Sequence, residues 1–155
     1  MTDDLRTNMW KAMAESPCLM IRLNAGADHA EPLLAQLDPD AHGKFWFYTS
    51  RTNRIAAGGP AMAQFVARDH RLFSCISGTL VEETDPALID HYWSDTVESW
   101  YEGGREDPAM LMMRFDLKEA EIWQPDNSLK GLFHKMTGKG DDMREMGTHE
   151  VLPLG

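Results

Sequence analysis

The chain has 155 residues, with 15 Lys and Arg against 25 Asp and Glu, a formal charge of −10 and a calculated pI near 4.9. That length suggests one domain over residues 1–155, and the acidity argues against nucleic acid as a partner, since phosphates would be repelled. Apolar residues make up 43% of the chain and include five tryptophans, enough for a real core and too many for general disorder.

Thr2 or Asp3 can cap a helix whose apolar positions Leu5, Met9, Trp10 and Met13 recur with helical spacing until Pro17 stops it. The acidic start lacks the basic and apolar regions of an export signal. From Cys18 to Asn24 the pattern alternates, which predicts a first strand. Glu31 to Leu37 reads as extended and leads through a turn-rich stretch into Lys44 to Thr49, the most strand-like hexamer of the chain, so the two segments are expected to form a hairpin. Ser50 to Ala57 reads as a turn and one short helix ending at Gly58-Gly59-Pro60.

Met62 to Arg68 and Leu72 to Glu83 read as two further strands. Pro86 opens a helix in which Leu88, Ile89, Tyr92, Trp93, Val97, Trp100 and Tyr101 form one stripe, most simply core, until Gly103-Gly104. Met110 to Trp123 reads as a long strand bulged near Asp116 to Glu119, and Leu129, Leu132, Phe133 and Met136 return to helical spacing. From about Gly138 the tail is polar and loosely patterned. Short turns between strands favour an antiparallel meander or barrel over a doubly wound sheet, so the expected class is mainly β with peripheral helices.

No window approaches the roughly 18 consecutive apolar residues of a membrane span. Cys18 and Cys75 lie in apolar, strand-like runs and read as small core residues of a reducing compartment, so a soluble, cytoplasmic protein with no membrane partner is expected. The eleven methionines read as adaptable core filler. There is no G-x-G-x-x-G after a strand, no P-loop, no C-x-x-C and no G-x-S-x-G, and the six histidines lack ligand spacing. Neither a metal nor a catalytic side chain is assigned.

One window stands out. Gly43 to Arg68 holds Lys44, Arg51, Arg54 and Arg68 and no acid, inside a chain of net charge −10. Tyr48 to Arg54 sets hydroxyls, an amide and two guanidiniums at a strand-to-helix junction, where free backbone N–H groups and the helix N-terminus are also expected to favour a phosphate. The competing reading is that Arg51 and Arg54 pair with acids elsewhere on the surface.

Phe45-Trp46-Phe47-Tyr48-Thr49-Ser50, Glu31 to Gln36, Ser77-Gly78-Thr79, Trp93, Trp100 to Gly104 followed by Asp107-Pro108, and Ala120 to Trp123 occur in an order that resembles the general stress protein subgroup of the pyridoxamine 5′-phosphate oxidase-like flavoproteins. The likeness runs over roughly residues 5 to 137. It implies an antiparallel split β-barrel that binds FMN, or FAD as the alternative, as a homodimer. Carried over position by position, it implies flavin contacts from the segment of Leu34, Ala35 and Gln36. It places the ribityl phosphate against Tyr48, Thr49, Ser50, Arg51, Asn53 and Arg54, with Arg54 at the family's basic position. Trp123 stands where the oxidases bring a tryptophan to the flavin from the partner subunit, a core tryptophan being the other reading. Glu31 replaces a common arginine, and Phe73 stands about where the oxidases carry a flavin-binding glutamine. Residues 124–130 lack the arginine and histidine that grip the oxidase substrate, Lys130 being the one cation there, which argues against vitamin B6 oxidation.

Three functional readings follow from the resemblance. One is an FMN-dependent oxidoreductase using a reduced nicotinamide, NADH or NADPH, and a small acceptor, with the cofactor doing the redox chemistry. The second is a flavin carrier or sensor without turnover, and the third a barrel dimer without flavin.

Overall fold

A computed structural model describes residues 2–125 and 147–154. The opening helix α1 (Thr2–Glu15) buries Leu5, Met9, Trp10 and Met13, the positions its periodicity singles out. Eight strands follow: β1 (Cys18–Leu23), β2 (Glu31–Leu34), β3 (Gln36–Leu37), β4 (Lys44–Ser50), β5 (Gly59–Val66), β6 (Phe73–Glu82), β7 (Met110–Pro125) and β8 (Gly147–Pro153). Two short helices, α2 (Pro86–Tyr92) and α3 (Asp95–Glu98), lie between β6 and β7.

The sheet is antiparallel throughout and runs β2-β1-β5-β6-β7-β4-β3, with β8 along the far end of β7. Only Ala35 separates β2 from β3, so the two outer strands of that order are one continuous stretch of chain. The sheet thereby wraps into the split barrel that the resemblance implies. The Ala35 amide donates to the Pro17 carbonyl at 2.7 Å, which fixes the point where the chain leaves β1 for β4.

Strand parity decides what each face meets. Leu19, Ile21, Phe65, Ile76, Leu80, Phe45, Phe47 and Phe115 point inward and pack with α1 as the main core. Trp46, Tyr48, Met110 and Met112 point outward, yet they are buried too, because Ile89, Val97 and Tyr101 of the segment between β6 and β7 cover that half of the barrel. Glu83 anchors the cover. It is buried, its Oε1 accepts from the Trp46 indole at 2.9 Å and from Arg114 at 3.3 Å, and its Oε2 accepts from the Asp85 amide at 3.3 Å. Arg114 is forked onto Asp116 at 2.8 and 3.2 Å.

The expected bulge is present: Ser77 pairs with Glu119 and Gly78 with Leu117, leaving Lys118 as the extra residue. Gly78 is needed there, because a Cβ would stand 2.3 Å from the Asp116 carbonyl and 2.5 Å from the Phe115 ring.

Several expectations are corrected. Residues 51–57 form consecutive turns and no helix, so no helix N-terminus stands beside Arg51 and Arg54. Of the segment expected to pair with the Lys44–Thr49 strand, only Gln36 and Leu37 do so, whereas Glu31–Leu34 pairs with β1. The long helix after Pro86 is broken at Trp93, whose backbone is extended, because the Ser94 hydroxyl accepts from the Val97 amide and starts a new helix. Its stripe is core except at Trp100, which is exposed. Cys18 is exposed and Cys75 half-buried, both on the outer face, since alternation sends Leu19 and Ile76 inward instead. The polar tail ends in β8, whose Leu152 is buried against the barrel while Glu150 and Val151 show little amphipathic pattern. The helix expected at Leu129–Met136 lies outside the described residues. Among the described residues, no helix is long and apolar enough to cross a membrane.

Candidate functional site

The acid-free window folds into the end of β4 and the turn after it. Tyr48 and Thr49 are buried: the Tyr48 hydroxyl donates to the Ile89 carbonyl, and the Tyr101 hydroxyl donates to the Thr49 carbonyl at 2.6 Å. Burial pushes both phenols up, Tyr101 to about 12 with Asp107 adding to the effect. These two strand residues therefore fix where the turn begins. Ser50 and Thr52 share a hydroxyl hydrogen bond at 3.0 Å, and the Asn53 side chain accepts from the Ile55 amide at 2.9 Å.

The two guanidiniums project from this frame and are exposed, and both meet acids from other strands. Arg51 is forked onto Glu82 at 3.2 and 3.0 Å, and this partner raises its already high pKa. Arg54 donates to the His29 carbonyl at 2.9 Å and stands 3.8 Å from Glu31. Neither acid belongs to the window, so its charge reversal in sequence is balanced in space.

Trp123 lies elsewhere. Paired with Phe73 across β6 and β7, it lines an outer groove of about 540 Å³ with Cys18, Met20, Pro32, Val66 and Cys75. His149 packs on its other side at 4.9 Å between ring centroids. Glu82, the partner of Arg51, is nine residues along β6 from Phe73, about 30 Å of extended strand at roughly 3.3 Å per residue. Within one chain Arg51 and Trp123 thus stand at opposite ends of β6. Leu34 pairs with Cys18 at the Trp123 end, while Ala35 is buried beside Pro17 and Gln36 pairs with Trp46. The structure brings Ser50, Arg51, Asn53 and Arg54 together and keeps Arg51 far from Trp123, whereas Arg54 reaches Glu31, three residues from Leu34 and next to the groove residue Pro32.

Around the groove the outer sheet face carries exposed apolar side chains among the described residues, with Gln64 between Met20 and Cys75 and Glu121 opposite Cys75. Met20 is 41% exposed, Val66 52% and Val151 51%, beside half-buried Phe73, Cys75 and Trp123. A patch of that kind on a sheet face marks a contact surface. Alternation could have located it, since Met20, Val66 and Phe73 have the opposite parity to the core residues Leu19, Phe65 and Ser74. Glu82 and the His29 carbonyl were not foreseeable from local pattern, because only the register between distant strands delivers them to the guanidiniums.

Residues 4–142 match the family described as pyridoxamine 5′-phosphate oxidase-like. The chain belongs to the pyridoxamine 5′-phosphate oxidase-like family. It is 39% identical to the general stress FMN/FAD binding protein of Xanthomonas citri, with a TM-score of 0.76, covering 83% of this chain and 94% of that one. A general stress family protein of Xanthomonas campestris is 38% identical, with the same TM-score, covering 83% of this chain and 92% of that one. A general stress protein 26 of a Jannaschia species shares the fold over 99% of both chains at 23% identity and a TM-score of 0.78. No curated protein matches the chain.

For a member of this family the question is whether the residues suit a flavin phosphate. Two guanidiniums and two hydroxyls on one turn suit a phosphoester, and the groove of Phe73, Met20 and Trp123 suits an aromatic ring system. The residues fit the group, provided the two ends come from different chains.

Proposed function

We propose that the chain binds FMN, with FAD as the alternative, at the interface of a homodimer, and that the loaded protein is an oxidoreductase drawing on a reduced nicotinamide and a small acceptor. The observation that supports this reading is the distance within one chain between Arg51 and the groove of Trp123, with exposed Met20 and Val66 beside that groove. A second copy, related to the first by a two-fold axis, brings the turn carrying Arg51 and Arg54 of each subunit to the groove of the other. Arg54, with Ser50 and Arg51, holds the phosphate. Trp123 of the opposite copy packs against the ring, and Leu34, Ala35 and Gln36 border it. Met20, Val66 and Phe73 exclude water from the contact.

When bound, the flavin supplies two-electron transfer at its ring system, and the protein supplies position and environment. Among the described residues the groove lining includes no Asp, Glu, His, Lys or Arg, and the titratable neighbours of Cys75 and Trp123, Glu121 and His149, stand 3.6 Å from each other. That composition favours, as the second reading, a carrier or sensor that holds flavin without turnover. Steady-state oxidation of NADH or NADPH by the flavin-loaded protein separates the two.

Binding itself is tested at Arg54. Arg54→Ala removes one charge-assisted contact and is expected to weaken FMN by about 1.5 to 3 kcal/mol. Titration of flavin fluorescence measures it, and an unchanged dissociation constant would take Arg54 out of the site.

A further inference from the structure

This inference rests on the flavin reading and concerns what occupies the phosphate seat in the free protein. Most backbone donors of the turn are already spent. The amides of Arg51, Thr52, Asn53, Ile55, Ala56 and Gly58 bond within the turn or to Ala109, and the hydroxyls of Ser50 and Thr52 bond each other. What is left for an anion is one hydroxyl proton of the Ser50–Thr52 pair, the Asn53 side-chain N–H groups and the pair of guanidiniums, and each guanidinium faces a carboxylate delivered from another strand. Glu82, the last residue of β6, gives both oxygens to Arg51. Glu31, the first residue of β2, faces Arg54 at 3.8 Å. Two positive and two negative groups leave the turn with no net charge.

Neither pair has the character of a permanent clamp. The fork between Arg51 and Glu82 is exposed, and exposed pairs contribute little because water screens them. The pair at Arg54 is long. Its other carboxylate oxygen, Glu31 Oε1, is buried without a hydrogen-bond partner among the described residues. An acceptor left in that state is a cost to the folded chain, which a new donor or release of the side chain to water would relieve.

We infer that Glu31 and Glu82 are resident anions of the phosphate seat, which hold the guanidiniums in place and yield them to a phosphomonoester. A phosphate dianion brings two charges and three acceptor oxygens against a single carboxylate charge, so it displaces the acids. A flavin without phosphate displaces neither. The turn thus selects its ligand by exchange of anions, and the two glutamates set the affinity threshold.

The test uses the full chain and the double variant Glu31→Gln, Glu82→Gln. Inorganic phosphate is titrated against the Nε–H resonances of Arg51 and Arg54, a readout that involves no flavin. The double variant is expected to reach half-saturation at about tenfold lower phosphate, and each single variant at about threefold lower, from the lost competition and lost repulsion at an exposed site. FMN should tighten in parallel by flavin fluorescence, with riboflavin unchanged. Half-saturation at equal or higher phosphate in the double variant overturns the inference, whatever the flavins do. Failure of the wild-type protein to bind any flavin would instead strike the functional reading, and the phosphate titration would still decide this one.

Discussion

Glutamate in place of Val66 is expected to yield a folded barrel that sediments as a monomer and no longer takes up FMN. Val66 is the last residue of β5, half exposed, between Met20 and Phe73 on the outer face. In the isolated chain the new carboxylate stands in water, so folding should change by no more than about 1 kcal/mol, the span of strand propensities. Between two copies the same carboxylate is desolvated without a partner, at a cost of several kcal/mol. About 1.4 kcal/mol is a factor of ten in the dissociation constant, so dimer affinity falls by about a thousandfold or more. Flavin should be lost with the dimer, since Trp123 and Arg51 of one barrel cannot reach the same molecule. Sedimentation velocity and FMN titration check both parts. A variant that dimerises normally removes this face from the interface, and a monomer that binds FMN at wild-type affinity removes Trp123 from the site.

The barrel was legible in the sequence wherever alternation was strong. β1, β4, β6 and β7 lie within a residue or two of their predicted bounds, because Leu19, Ile21, Phe45, Phe47, Ile76 and Phe115 face a single core. The bulge at Lys118 was legible as a break in that pattern. What local pattern did not carry were long-range choices. Glu31 to Leu37 reads as one strand, but the Ala35 amide commits to Pro17 and divides it between two neighbours. β8 has too little pattern of its own to be seen, and gains its place by pairing with β7. At the site, the positive window was visible and its neutralisation was not. Glu31 and Glu82 reach Arg54 and Arg51 from 23 and 31 residues away in sequence, and only barrel closure makes them neighbours.

Loss of the Glu83 carboxylate should lower stability more than loss of any exposed acid here, and most of all at neutral pH. Glu83→Ala deprives the buried Trp46 indole of its acceptor and Arg114 of one of its two carboxylates, changes of the kind that cost about 3 kcal/mol. Burial by itself would raise the carboxyl of Glu83, but the Trp46 indole, the Asp85 amide and Arg114 together outweigh it and hold the group below its ordinary value of 4.5. A depressed value means that the unfolded chain binds the proton more readily, so the stabilisation is complete above about pH 4.5 and fades as pH falls below it. The gap between wild type and Glu83→Ala in urea denaturation should therefore narrow on acidification, while Glu83→Gln, which keeps an acceptor for Trp46, falls between them at neutral pH. The effect should also reach the binding turn. Glu83 fixes the segment that supplies the Ile89 carbonyl to Tyr48 and the Tyr101 hydroxyl to Thr49, and those two residues set the start of the turn carrying Arg51 and Arg54. Glu83→Ala is thus expected to weaken FMN at neutral pH even under conditions where the variant is fully folded. Unchanged FMN affinity together with full destabilisation would confine Glu83 to holding the cover on the barrel.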